Sequence, residues 1–190
     1  MQNHDTIRRS VHSLALPGIA AGVIAVVGCF SGGTMGRTGV GGLAVGDKAP
    51  PIEIQQLVHG SSLGTASDNS VQVIEFWATW CGPCLLGMPH LSELQVTYGD
   101  QVTILGVTSE KLSTVQGFLA SSEGDGKTWG EVVKYRMAVD DNGATTAAYM
   151  QAAGVNSIPT AFIIGRDGVL KWIGHPASMD APLKAIVEGS

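Results

Sequence analysis

Two cysteines, placed between a predicted strand and a predicted helix, constrain the fold more than any other feature of this chain. Cys81-Gly-Pro-Cys84 directly follows a β-rich run over residues 71–77 and opens a stretch with helical apolar spacing over residues 84–98. Thiols at this spacing can close a disulfide with little movement. Because free amides and the dipole at a helix N-terminus favour a thiolate, the pattern predicts Cys81 as the nucleophile and Cys84 as the resolving thiol of a thiol–disulfide exchange.

Two other uses of such a pair are weaker. A zinc site needs two further ligands. The chain has one other cysteine, Cys29, and His59, His90 and His175 show no ligand spacing. We therefore expect no metal and no other cofactor. A purely structural disulfide across the start of a helix would constrain little of the chain, so its stabilising effect would be small.

The first 29 residues have the pattern of an export signal with a lipoprotein-type anchor. Two arginines precede an uncharged and mostly apolar run over residues 14–27. Extended to residue 30, this run would reach only about 25 Å as a helix, which is short of a bilayer core. It ends at a small residue followed by Cys29, a pattern that resembles a bacterial lipobox with the cysteine as the lipid attachment site. An uncleaved anchor and ordinary cleavage nearby remain alternatives.

Residues 30–46 form a predicted flexible linker, since seven of the sixteen positions from 31 to 46 are glycine. Residues 47–190 form the predicted globular domain. That domain holds eight Lys and Arg against fifteen Asp and Glu, which gives it a formal charge of −7. An acidic domain argues against a nucleic-acid partner.

Strand and helix signals alternate along this domain. Predicted strands cover residues 52–57, 71–77, 102–107, 160–164 and 169–173, and predicted helices cover residues 84–98, 111–121, 144–153 and 182–187. Residues 132–139 fit a strand, although their first half also fits a helix. Asp167-Gly168 predicts a hairpin between the last two strands. The order of elements predicts an α/β fold with a central mixed sheet and helices on both faces.

The residues around the cysteines resemble the thioredoxin superfamily. The resemblance is carried by Glu75-Phe-Trp-Ala-Thr-Trp-Cys81-Gly-Pro-Cys84, by Pro89 five residues on, and by Ile158-Pro159-Thr downstream. The opening Gly-Asp-Lys-Ala-Pro at residues 46–50 resembles the TlpA/ResA-like branch, whose members are extracytoplasmic thiol-disulfide oxidoreductases. The resemblance covers about residues 46–188 and implies a thioredoxin-like fold, with disulfide-bearing client proteins as partners.

The resemblance also implies residue roles. Glu75 matches a buried aspartate beneath the thioredoxin disulfide, where a desolvated carboxylate with a raised pKa would take the proton of the resolving thiol. Pro159 matches the cis-proline beside the dithiol, and Ile158 would shield the dithiol and offer its backbone to an extended client segment. Trp80 would lie beside the sulfurs as a contact surface.

Other matching positions have structural roles near the site. Gly82 and Pro83 separate the cysteines, and Pro89 matches a helix-kinking proline. One position departs from the branch: many TlpA/ResA-like proteins have glutamate three residues after the second cysteine, where this chain has Gly87. Because that glutamate is associated with activity on apocytochrome c, its absence speaks against a role in cytochrome c maturation.

The leading prediction is a membrane-tethered, extracytoplasmic oxidoreductase that reduces client disulfides, because the Gly-Pro dipeptide and Ile158 are thioredoxin-like. Since glutathione is scarce outside the cytoplasm, a membrane electron donor would re-reduce the cysteine pair. Three alternatives remain. One is a disulfide-forming oxidase, and another is a docking module with an inert disulfide. The third is a peroxiredoxin-like peroxidase, which needs threonine where Ala78 stands.

Overall fold

The computed structural model describes residues 42–60 and 69–189. The predicted export signal, the lipid attachment site at Cys29 and most of the predicted linker lie outside these ranges. In the described ranges, no helix is long and apolar enough to cross a bilayer.

The predicted α/β fold is confirmed. The strands are β1 Ile54–His59, β2 Val71–Phe76, β3 Val102–Thr108, β4 Arg136–Asp140, β5 Thr160–Ile164 and β6 Leu170–Gly174. The helices are α1 Gly82–Tyr98, α2 Leu112–Ala120, α3 Trp129–Val132, α4 Ala144–Thr146 with a π-helical turn Ala147–Gln151, and α5 Asp180–Gly189. Short 3₁₀ turns cover Gly99–Gln101 and Pro176–Ser178.

The six strands form one mixed sheet in the order β1-β4-β3-β2-β5-β6. Strand β2 lies at the centre, parallel to β3 and antiparallel to β5, and the outer strands β1 and β6 pair antiparallel with their neighbours. Because both faces of β2 are covered, five of its six residues are buried. The cysteine pair follows the carboxyl end of this central strand.

Alternation along β2 divides the core between the two faces of the sheet. Val71, Val73 and Trp77 pack on the face covered by α1, α2 and α5, whereas Ile74 and Phe76 pack on the face covered by the π-helical turn. The helices therefore lie on both faces, as predicted. The same alternation directs Glu75 toward the face that carries α1.

The segment before β4 resolves the ambiguity of residues 132–139. Thr128 and Glu131 form a capping box that starts the short helix α3, and the strand begins only at Arg136. The helical signal of the first half thus belongs to the end of α3 and the turn that follows it.

The described body also includes residues upstream of Asp47. The Leu43 N–H donates to the Ala152 carbonyl at 2.7 Å, and the Gly46 N–H donates to the Leu170 carbonyl at 2.8 Å. These two hydrogen bonds tie residues 43–46 to the body.

Candidate active site

The connection from β2 to α1 holds both cysteines at the start of the helix. The Cys81 N–H donates to the Ala78 carbonyl at 3.1 Å, which closes a turn directly before α1. Cys81 is the N-cap of α1, and its sulfur accepts a hydrogen bond from the Cys84 N–H at 3.3 Å. Pro83 lies in the first helical turn, where a missing N–H leaves no helical bond unmade. The helix start therefore places a backbone donor on the Cys81 sulfur, an arrangement that stabilises a thiolate.

Cys81 and Cys84 form a disulfide with an S–S distance of 2.04 Å. Both residues are almost buried, with 5% and 2% of their surfaces exposed. Trp80, one position before the pair, is 74% exposed. This indole is therefore an exposed surface next to the buried pair.

A groove of about 290 Å³ runs beside Trp80. Ile158, in the turn before β5, also lines this groove. The peptide bond from Ile158 to Pro159 is cis, as the resemblance implies. Pro159 is buried, and β5 begins at the next residue. The turn before β5 and the turn before α1 thus share one groove, which Trp80 and Ile158 both line.

Glu75 lies on the central strand β2, and its side chain is directed toward the face of the sheet that carries α1. It is 1% exposed, and it is paired in register with Gly106 of β3 and Ala161 of β5. Burial alone raises the pKa of its carboxyl from 4.5 to about 8. A carboxyl with a pKa near neutral pH can both accept and return a proton, which is the property required of a general base at this position.

The remaining predicted site residues lie on α1. Gly82 and Pro83 are exposed between the cysteines, and Pro89 lies inside the helix on its exposed side. Gly87 has open space where a side chain would begin. Among residues 42–60 and 69–189, no group of three His, Cys, Asp or Glu side chains is placed to hold a metal ion.

One site residue was missed by the sequence analysis. The Glu110 carboxylate accepts two hydrogen bonds from Thr79, one from its N–H at 2.6 Å and one from its hydroxyl at 2.8 Å. Thr79 precedes Trp80, so Glu110 holds the turn that presents the indole and Cys81. The sequence analysis predicted both strands but not their order in the sheet, so it could not place Glu110, which follows β3, beside the turn that follows β2.

Comparisons with known proteins fit this geometry. The sequence profile of the Redoxin family matches residues 44–185. The chain belongs to the Redoxin family.

Named relatives of this redoxin identify its enzyme class. Thioredoxin-like protein YneN of Bacillus subtilis is 31% identical over 141 residues, which cover 73% of this chain and 75% of that protein. Thiol-disulfide oxidoreductase ResA of Geobacillus thermodenitrificans is 32% identical over 133 residues, which cover 69% of each chain. A crystal structure of a thiol:disulfide interchange protein DsbE from Chlorobium tepidum matches with a TM-score of 0.56 and 26% identity, over 77% of this chain and 97% of that one. The predicted fold and the predicted class, a thiol-disulfide oxidoreductase, are both confirmed.

Proposed function

We propose that this redoxin reduces disulfides of client proteins outside the cytoplasm while its N-terminal segment holds it at a membrane. The observation that carries the proposal is the Cys81–Cys84 disulfide at the start of α1, on the face of the sheet toward which the buried acid Glu75 is directed. The Gly-Pro dipeptide between the cysteines supports the reducing direction. The names of the relatives support exchange with protein disulfides.

The proposed reaction moves two electrons from the dithiol to the client. The Cys81 thiolate attacks one client sulfur, a mixed disulfide forms, and the first client thiolate leaves and takes a proton. The Cys84 thiol then gives its proton to the Glu75 carboxylate and attacks the Cys81 sulfur. This step closes the Cys81–Cys84 disulfide and releases the second client thiolate.

The groove beside the pair is the proposed client site. An extended client segment would lie between Trp80 and Ile158, with backbone hydrogen bonds to the turn that carries the cis bond. Apolar contact with the exposed indole would hold the segment while its disulfide lies over Cys81.

Trapping of mixed disulfides separates an enzyme from a docking module. In the full chain, Cys84→Ala leaves Cys81 able to attack but removes the thiol that releases the client. We expect Cys84→Ala to accumulate disulfide-linked clients on non-reducing gels, and Cys81→Ala to accumulate far fewer. Equal and negligible trapping by both variants would contradict the proposed reaction.

The reduction potential of the pair tests the proposed direction. Equilibration against thiol redox buffers should give a value below roughly −220 mV if the pair is a reductant. A value near or above roughly −150 mV would instead identify an oxidase or isomerase.

The proposed tether and electron donor need a test in cells. We propose residues 1–29 as the export signal and anchor, with Cys29 as the lipid attachment site, and a thiol-reducing membrane protein as the donor. The full chain should fractionate with membranes, and Cys29→Ser should release it if the lipid is the anchor. The redox state of the Cys81–Cys84 pair in cells can be measured after its thiols are trapped. If the pair is fully oxidised whatever membrane donor is present, the proposed reductive cycle is wrong.

A further inference from the structure

The face of the sheet beneath α1 holds polar groups that the proposed reaction leaves unexplained. Three buried polar atoms lack a hydrogen-bond partner within the described part of the chain: Glu75 Oε2, Trp77 Nε1 and Tyr135 Oη. An unpaired polar group in a protein interior costs stability, so each one needs a physical reason. Phenylalanine would fill the place of Tyr135 without that cost.

The register of the sheet brings these groups together. Glu75 pairs with Gly106 of β3, and Gly106 pairs with Met137 of β4. Tyr135 comes two residues before Met137, and it packs in the same core cluster as Met137 and Trp77. The phenol, the indole and the acid therefore lie on one face of three neighbouring strands.

Gly106 allows two of the side chains to meet beside the acid. A Cβ atom at Gly106 would lie 3.1 Å from Trp77 Nε1 and 3.2 Å from Tyr135 Cε2. Both rings thus pack directly on the backbone of β3 at the residue paired with Glu75. A side chain at this position would have to push the two rings aside.

The three groups are chemically complementary. The Trp77 N–H and the Tyr135 O–H are donors, whereas an ionised Glu75 can only accept. Burial raises the pKa of Tyr135 well above its usual range, and the nearby Glu75 charge adds to the shift, so the phenol keeps its proton when the acid ionises. Of the other titratable or charged side chains, Cys81, Cys84 and Tyr98 pack in the same core cluster. His59 of β1 contacts the Val133 carbonyl, and Lys134 and Arg136 flank Tyr135 in sequence. On α1, Glu93 is exposed and His90 pairs with Asp180.

We propose that Tyr135 is a positioning residue that, with the Trp77 N–H, stabilises the Glu75 carboxylate while Cys84 is deprotonated. The inference rests on the proposed role of Glu75 as proton acceptor. In the oxidised structure the Tyr135 hydroxyl makes no hydrogen bond to Glu75. When Glu75 ionises, the phenol moves within hydrogen-bond distance of one carboxylate oxygen, and the proton of Cys84 then passes to the other oxygen. Tyr135 itself neither gains nor loses a proton.

A two-phase thiol reaction tests the inference in the full chain. Every variant carries Cys29→Ser, so the reduced protein has two thiols. With Ellman's reagent, the first thionitrobenzoate release reports the attack by Cys81, and the second reports the resolution of the mixed disulfide by Cys84. We expect Tyr135→Phe to move the pH midpoint of the second phase upward by about one unit, because a hydrogen bond to the ionised acid is lost. The first phase should keep the wild-type profile.

Variants of Glu75 distinguish failure of the inference from failure of the proposed function. Glu75→Gln should remove the midpoint that the acid controls, and adding Tyr135→Phe should then change nothing. If Glu75→Gln keeps the wild-type profile, the acceptor role is wrong and the inference falls with it. Two results would contradict the inference alone. In the first, Glu75→Gln alters the pH profile of the second phase but Tyr135→Phe does not. In the second, Tyr135→Phe shifts that profile as much in the Glu75→Gln background as in the wild type.

One further variant controls for packing, and another tests the second donor. Tyr149→Phe alters a buried tyrosine on the opposite face, whose hydroxyl donates to the Pro50 carbonyl, and it should leave the midpoint unchanged. Trp77→Phe removes the second donor and should shift the midpoint in the same direction as Tyr135→Phe. A shift in Tyr149→Phe as large as that in Tyr135→Phe would overturn the inference.

Discussion

At the scale of single residues, burial of Glu75 links the pH of the solution to the stability of the oxidised protein. An unfolded chain ionises this carboxyl near pH 4.5, whereas the folded protein keeps it protonated up to about pH 8. The folded state thus binds more protons between these values, and the free energy of unfolding falls as the pH rises through this window. At about 1.4 kcal/mol for each unit of pKa shift, the fall is at most about 5 kcal/mol.

Glu75→Gln should flatten this pH dependence because glutamine mimics the protonated acid and does not ionise. Urea unfolding of both oxidised proteins from about pH 5 to about pH 8 measures the difference. Glu93→Gln, at an exposed position on α1, is the matched control and should follow the wild type. Parallel curves for the wild type and Glu75→Gln would contradict the buried position of the acid.

The two buried tyrosines should differ in what their hydroxyls contribute to stability. Tyr149 donates to the Pro50 carbonyl at 2.7 Å, whereas Tyr135 has no partner among the described residues. We expect Tyr149→Phe to lower the free energy of unfolding by about 1 kcal/mol, and Tyr135→Phe to leave it unchanged or raise it slightly. Urea midpoints at about pH 6, where Glu75 is protonated, provide the comparison. The opposite order would show that Tyr135 is hydrogen-bonded in solution.

At the scale of elements, local signals predicted the connection from β2 to α1, and contacts between distant segments escaped prediction. An apolar run, an N-cap cysteine and a proline in the first turn lie within a few residues of one another, so their meaning could be deduced from the sequence. The cis bond before Pro159 was expected only through the family resemblance. The hydrogen bonds from Thr79 to Glu110 join residues 31 positions apart, and they depend on the order of the strands in the sheet.

The Glu110–Thr79 contact should set the reactivity of the first cysteine. Glu110→Ala removes both hydrogen bonds, and Thr79→Val removes only the one from the hydroxyl, because the backbone N–H remains. We expect losses in unfolding free energy of about 2 and about 1 kcal/mol, with several-fold slower attack by Cys81 in Glu110→Ala. Thr79→Val should have little further effect in the Glu110→Ala background. Additive effects of the two substitutions would mean that they act independently.

At the scale of the whole molecule, the described body begins upstream of the predicted domain. Glycine content indicated a flexible linker up to residue 46, yet Leu43 and Gly46 donate backbone hydrogen bonds to Ala152 and Leu170. Leu43 also packs against the core on the second face of the sheet. Composition could not predict this because the partners lie more than 100 residues away in sequence. The predicted domain from residue 47 therefore lacks contacts that the folded body makes.

Truncation tests where the folded body starts. A chain that begins at Gly42 should match the full chain in unfolding free energy, because the contacts of Leu43 and Gly46 remain. A chain that begins at Asp47 should lose about 2–3 kcal/mol, since two backbone hydrogen bonds and the partial burial of Leu43 disappear. Both chains keep the turn before α1, so their reduction potentials should agree. If the chain from Asp47 were as stable as the chain from Gly42, residues 43–46 would act as part of the linker in solution.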